Sequence, residues 1–477
     1  MKYRFGLLFM CCTILLSACS TKEASTQTNN SVTKQPIMGQ VSKLEGIWQS
    51  NGYGFIIEIG KQKNRYFDHT PNFCLEEDIG NETIADFYDF YNLSEDGNTL
   101  QLWGSVDPYP YTFQKRNAVP NICNSPFPNT PINNLNAFVS YFSQHYAFFE
   151  LYGVDWQQET KDAQAKVNPD TSDAELFEIM QNMLRNIKDG HVAIKAKIDG
   201  QRQRFEAGAP KIAEAINNMA KRENISIGET AATFHEGYWF GDVMETLLKG
   251  EGTFTANRRI QYGLVAVDIG YIALMNIGSF VDQKQSEGFD TNQKALDAAM
   301  EAALVQFKEN NVKAVIIDLS INYGGYDYLA RSIAGRFTDT VVTAYSKHAF
   351  DAPEAKPFTN VIEPSKGVKF LGPVYVLTSN ITLSAGETTI LSLRSLPNVT
   401  HIGEATRGAL SDKLVKTLPN GWDITLSNEV YKDHQGMVWE GTGIQPHEEI
   451  QVFDLNDPMQ GHVKAIHDLV DFIHTRP

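Results

Sequence analysis

Gly372-Pro373-Val374-Tyr375-Val376-Leu377-Thr378 runs through Ser379-Asn380-Ile381-Thr382-Leu383 into Ser384-Ala385-Gly386-Glu387-Thr388-Thr389-Ile390-Leu391-Ser392-Leu393-Arg394-Ser395-Leu396. The first seven residues are a short apolar run bounded by turn formers, the pattern of a buried strand. From Ala385 onward the apolar residues fall at helical spacing. Ser384 is thus expected at a strand-to-helix junction, where unpaired N–H groups and the positive end of the helix dipole favour negative charge. That suits a nucleophile whose reaction creates an oxyanion. Ser384-Ala385-Gly386-Glu387 is equally the Ser-x-x-Glu capping box that opens many helices. The four residues alone leave both readings open.

Around this unit the chain alternates strands and helices. Residues 263–267 and 271–277 read as a hairpin about Asp268-Ile269-Gly270, 291–308 as an amphipathic helix and 312–319 (VKAVIIDL) as a buried strand. A helix over 328–337 and a strand over 399–403 complete a βαβαβ rhythm, which implies a largely parallel sheet with helices on its faces. In such sheets sites form beyond the carboxyl ends of the strands. Asn322-Tyr323-Gly324-Gly325 falls at that edge too, after the 312–319 strand. Paired glycines let the backbone approach a ligand and turn N–H groups inward; a plain strand-to-helix turn has the same sequence. Trp439-Glu440-Gly441-Thr442-Gly443-Ile444-Gln445-Pro446 is a further glycine-rich loop carrying a carboxylate.

Upstream, 43–130 holds short aromatic and β-branched runs separated by turn clusters such as Ser94-Glu95-Asp96-Gly97, a small antiparallel β domain. Residues 131–200 are expected to be helical, with an aromatic stripe (Phe138, Tyr141, Phe142) and a second helix over 174–187 capped by Ser172-Asp173. That helix ends in Asp189-Gly190-His191, which leads into the strand Val192-Ala193-Ile194-Lys195-Ala196. Residues 201–260 are polar with helical patches and read as a helical insertion, leaving 261–477 as the α/β core.

The N-terminus carries an address. Lys2 and Arg4 precede an apolar run over 5–16, too short to span a bilayer stably, so residues 1–18 read as a secretory signal. Leu16-Ser17-Ala18-Cys19 resembles a bacterial lipobox, in which Cys19 would be lipidated and become the mature N-terminus; Ser20 after it favours the outer membrane. Residues 19–42, rich in Ser, Thr, Asn and Gln, are expected to form a flexible tether with a reach of about 25 Å. Outside signal and anchor, Cys74 and Cys123 are the remaining cysteines, compatible with one disulfide in an oxidising compartment. The formal charge of −16 over 477 residues argues against nucleic acid as a partner. There is no His-Glu-x-x-His and no zinc spacing. Oligomeric state has no signature here.

Asp189-Gly190-His191, Gly270-Tyr271-Ile272 leading to Phe280, Ile316-Ile317-Asp318-Leu319 leading to Asn322 and Gly324-Gly325, Ser384 to Glu387, and Glu440 to Pro446 occur in that order. This succession resembles the tail-specific (C-terminal processing) and tricorn-core serine proteases over roughly residues 135–450. The resemblance implies a ClpP/crotonase-like α/β fold and hydrolysis of a peptide or protein substrate without metal or organic cofactor. It implies Ser384 as nucleophile, His191 as general base as in the tricorn branch, and Glu440 as the acid completing the charge network. The N–H of Ala385 and one from Gly324 or Gly325 would form the oxyanion hole. The other branch uses a lysine in a Thr-x-Gly-Lys context; here Thr406-Arg407-Gly408 is followed by Ala409. Gly190 also stands where tricorn has a serine, and no PDZ-like segment is evident. An envelope binding protein on the same fold, or an esterase or amidase, are the rival expectations.

Overall fold

The computed structural model describes residues 34–61, 63–104, 109–282 and 289–475. The expected signal segment, Cys19 and residues 20–33 of the tether lie outside the described residues.

A seven-stranded sheet organises the C-terminal half, in the order Thr253–Thr255, Ile260–Ala266, Ile269–Leu274, Ala314–Asp318, Val374–Thr378, Val399–Gly403, Glu448–Glu449. The first three strands are antiparallel, and from Ile269–Leu274 onward the neighbours are parallel. Every residue of Ile269–Leu274, Ala314–Asp318 and Val374–Thr378 is buried. Their near-continuous apolar runs follow from this, because both faces are covered. Ile272, Val315, Ile317 and Val376 face the helices Phe289–Glu309, Asp327–Ala334 and Ala385–Arg394. Tyr271, Ile316, Tyr375 and Leu377 face a second layer made by helical residues 211–247 and the C-terminal helix His462–Thr475. The fold is the expected α/β core with flanking helices, and the helical part of 201–260 is one of its two outer layers.

Two smaller sheets hang from the same core: Gln201–Glu206, Ala193–Ile198, Asp423–Ser427, Lys413–Thr417, and Phe358–Ile362, Val342–Ala349, Glu429–Asp433. Gln201–Glu206 corrects the expectation of a purely helical 201–260. It turns back on Ala193–Ile198 through Asp199 and Gly200, both at positive φ. It escaped notice because an exposed edge strand needs no apolar alternation.

An eight-stranded antiparallel sheet, residues 35–116, forms the N-terminal unit. It begins earlier than its sequence suggested. Residues 34–42 are not tether: Gln35 pairs with Tyr91, and Ile37 is fully buried with Leu44 and Trp48. One well-placed isoleucine outweighs the polar composition around it. Cys74 and Cys123 are joined by a disulfide. The unit is fixed to the core by Tyr53 Oη donating to Glu429 at 2.6 Å and by a buried ion pair of Asp68 with Lys416.

Candidate active site

Ser384 holds the N-cap position of the Ala385–Arg394 helix, with Glu387 reaching back to its N–H, but in a backbone unlike the other caps. Thr130, Ser172 and Ser226 show what caps look like in this chain: extended backbone and a side-chain oxygen accepting an N–H of the first turn. Ser384 has φ 56° and ψ −123° and makes no side-chain cap hydrogen bond. The Glu387 N–H goes instead to the Ser384 carbonyl at 2.7 Å. Such a backbone is sparsely populated for a residue with a Cβ and persists only where surroundings enforce it. They do so here. The Ser384 N–H is shared between Ala409 O at 3.0 Å and Glu387 Oε2 at 3.1 Å. The Leu383 N–H donates to Asn322 O at 3.2 Å.

Asn322-Tyr323-Gly324-Gly325 lies directly behind the serine. A Cβ on Gly324 would stand 2.6 Å from Ser384 Cβ, and Gly324 has φ +76°. Asn322 staples this loop: its Nδ2 donates to Leu274 O at 2.8 Å and its Oδ1 accepts the Gly324 N–H at 3.0 Å. The two glycines therefore differ. The Gly324 N–H is already engaged. Gly325 bridges Ile277, whose N–H goes to Gly324 O and whose carbonyl accepts from Tyr326. In that register the N–H of Gly325 faces away from Ile277. The Ala385 N–H, first of its helix, has no intrahelical acceptor. The N–H groups of Ala385 and Gly325 are thus not engaged by their own helix or by Ile277.

The Thr406–Ser411 turn connects the serine to the histidine. Ala409 O holds Ser384, while a Cβ on Gly190 would lie 3.3 Å from Ala409 Cβ. His191 is 1 % exposed, and neither ring nitrogen has a hydrogen-bond partner. Its backbone is pinned on both sides: Asp189 Oδ1 accepts its N–H at 2.8 Å, and Thr425 Oγ1 donates to its carbonyl at 2.6 Å. Burial pushes the imidazole down to about 3, and the nearby Lys413 ammonium adds to this, so the ring is neutral at physiological pH.

Glu440, 2 % exposed, makes no hydrogen bond to His191. Its Oε2 accepts the N–H groups of Leu410 and Ser411 at 3.0 and 3.1 Å, and its Oε1 has no partner. Burial, then the charges of Asp189 and Glu387, raise its pKa well above the usual carboxylate range. The glycines of its loop allow the loop to lie backbone to backbone on the Thr406–Ser411 turn. A Cβ on Gly408 would sit 2.6 Å from Gly443 N, and the Gly441 N–H donates to Gly408 O at 2.8 Å.

Glu387 is the residue the sequence reading left as a helix cap. It is fully buried and accepts Thr406 Oγ1 at 2.6 Å and the Gly408 N–H at 2.7 Å on Oε1, and the Ala409 and Ser384 N–H groups on Oε2. Burial raises its pKa to about 7 against those four donors. Ser-x-x-Glu was the available signal, but its partners at 406–409 lie too far along the chain to be paired by spacing. Two lysines follow Ala409 closely in sequence, off the register of the serine–lysine branch, and the fold separates them. Lys416 is sealed against Asp68 and under the Phe55 ring, whereas Lys413 is exposed beside His191. Among the described residues no His, Cys, Asp and Glu cluster could hold a metal.

Residues 268–450, which contain Ser384, both glycine loops and Glu440, match the model of Peptidase family S41. Over that segment the chain is similar to this family, which supports a serine-type peptidase. Its fold is similar to that of a candidate peptidase from Parabacteroides merdae, with TM-score 0.56 and 22 % identity over 73 % of this chain and 98 % of that one. Mature CPAF, solved in complex with lactacystin, is similar with TM-score 0.50 and 12 % identity over 72 % of this chain and 98 % of that one. At these identities the likeness is one of fold.

Proposed function

We propose that this peptidase cleaves peptide bonds through an acyl-enzyme on Ser384, with His191 as general base, at the bacterial cell envelope. The observation that carries the reading is the backbone of Ser384: φ 56° and ψ −123° are not what the caps at Thr130, Ser172 and Ser226 adopt, yet contacts from three neighbouring segments maintain them. A strained serine at a helix start, next to a glycine N–H, is what attack on a carbonyl requires. In the first step His191 takes the Ser384 proton as Oγ adds to the carbonyl carbon. The oxyanion is met by the N–H groups of Ala385 and Gly325. The imidazolium then protonates the leaving amine, and water repeats the sequence on the ester. The imidazole is neutral and so can accept that proton; burial and Lys413 oppose the charge it gains, and Asp412 favours it. Glu440 acts by holding Leu410 and Ser411 beside the histidine. Lipid on Cys19 would tether the body to the membrane; the basic residues, apolar run and lipobox-like cysteine support this part.

The test is a fluorophosphonate probe applied to the full-length protein, with the labelled residue mapped by mass spectrometry in wild type, Ser384→Ala and His191→Ala. Labelling at Ser384 that depends on His191 is expected. A folded protein labelled elsewhere or not at all would overturn the assignment. Intact mass of protein purified from membranes should show diacylglycerol on Cys19; cleavage elsewhere without lipid would remove the anchor.

A further inference from the structure

The Thr406–Ser411 turn has an unusual feature: its successive N–H groups from Gly408 to Ser411 all end on buried carboxylates. Gly408 and Ala409 donate to Glu387, and Leu410 and Ser411 donate to Glu440. The same Glu387 carboxylate takes the N–H of Ser384, and Ala409 O takes it from the other side. One side chain therefore fixes the distance between the nucleophile and the turn that borders His191.

Only the ionised form can do this fully. Oε2 accepts two backbone N–H groups, neither of which can reverse direction. A proton on Oε2 would displace one of them. A proton on Oε1 would require the Thr406 hydroxyl to turn around, and would weaken the bond from Gly408. Thr406 is not free to turn without consequence, because its hydroxyl also accepts the Ile444 N–H at 2.7 Å.

We infer that Glu387 is a positioning residue whose ionised carboxylate clamps the Thr406–Ala409 turn to Ser384, and that the site is competent only while this clamp is closed. The inference rests on Ser384 being the nucleophile. The charged and titratable groups facing Glu387 are Arg407 on the turn, Glu440 on the glycine-rich loop and Tyr152 before the Trp156–Gln164 helix. Burial holds the carboxyl near 7, close to neutral pH. Stability and activity should then move in opposite directions. The folded-state pKa is raised above its unfolded value, so the folded state holds the proton more tightly, and raising the pH from about 4.5 to about 7 removes stability. Over the same rise the clamp closes and reactivity appears.

The experiment follows the rate of fluorophosphonate labelling at Ser384 from pH 5 to 9 in wild type, Glu387→Gln and Thr406→Val. Wild type should gain about tenfold per pH unit below about 7 and level off above it. Glu387→Gln puts an NH₂ group against N–H donors, as the protonated acid would. It should be at least tenfold slower at pH 8, with no limb near 7. Thr406→Val removes a donor that favours the carboxylate and should move the limb to higher pH with the plateau kept, which a loss of folding would not produce. If both variants keep the wild-type limb, His191 owns it and the inference fails while the Ser384 reading stands. Backbone amide exchange over 405–412, corrected for intrinsic rate, reads the clamp without catalysis. Protection should rise through the same pH in wild type even if Ser384 is never labelled. Protection independent of pH overturns the inference.

Discussion

Gly324→Ala separates geometry from stability at Ser384. The new methyl carbon would lie 2.6 Å from Ser384 Cβ, 2.9 Å from Leu383 O and 3.1 Å from Ala385 N. Carbon atoms settle at about 3.5–4.0 Å, so the glycine loop and the serine must part by about 1 Å. Two of the three obstructing atoms are backbone, so no rotamer change relieves the overlap. A displacement of about 1 Å between reacting groups costs about 10²-fold, or about 2.7 kcal/mol in the barrier. Alanine at φ +76° also costs about 1–2 kcal/mol of stability. Gly421→Ala is the control, because Gly421 has φ +79° with nothing within 4 Å of its Cβ position. Both variants should lose similar stability from the backbone in urea denaturation, with a further loss for Gly324→Ala. Peptide turnover per folded molecule should fall about 10²-fold in Gly324→Ala and stay near wild type in Gly421→Ala. Turnover of Gly324→Ala within about threefold of the control would refute a role for the close packing of the glycine loop on Ser384.

His191→Ala should abolish turnover and labelling, while Lys413→Ala should retain both; the reverse ranking would establish a serine–lysine dyad. Lys416→Met leaves Asp68 buried without its partner, and denaturation should show a loss of about 3–5 kcal/mol with turnover per folded molecule unchanged. His462 is buried against Asp318 at 2.7 Å, and that carboxylate raises its pKa to about 9. Its contribution, about 3 kcal/mol at most, should be present in full below pH 6.5 and lost as pH rises through about 9. Denaturation midpoints should show that decline in wild type and lack it in His462→Gln.

The legible parts of this fold were those whose physics is local. Ala314–Asp318 and Val374–Thr378 are buried on both faces, so their apolar runs name them without context. Ser172-Asp173 begins its helix by filling N–H groups within four residues. The strands Val342–Ala349 and Lys413–Thr417 were not read, because each carries a lysine that the fold buries: Lys347 between Asp412 and Glu429, Lys416 against Asp68. Lysine is almost never buried unless paired, and the pairing partners are distant in sequence. The candidate site divides in the same way. Gly-Gly after a strand and Ser-x-x-Glu before a helix are local patterns. What Glu387 and Glu440 hold is not, since a carboxylate looks the same whether it faces water or a turn folded over it.

The strain at Ser384 connects these observations. An isolated peptide of residues 384–394 would gain by letting Ser384 cap the helix in extended conformation, as Ser172 and Ser226 do. The folded chain keeps Glu387 on the Ser384 N–H but adds a backbone penalty of about 1–3 kcal/mol. The offset comes from parts remote in sequence: Ala409 O, the Asn322 carbonyl, and the packing of Gly408 against Gly441 and Gly443. The reactive geometry of the serine therefore exists only when the ends of several strands are assembled. Substitutions in 408–411 or 439–443, though none of those residues need touch a substrate, should act on Ser384 through its backbone. They should lower reactivity toward a small probe as much as toward a peptide, which distinguishes them from changes in a substrate-binding surface.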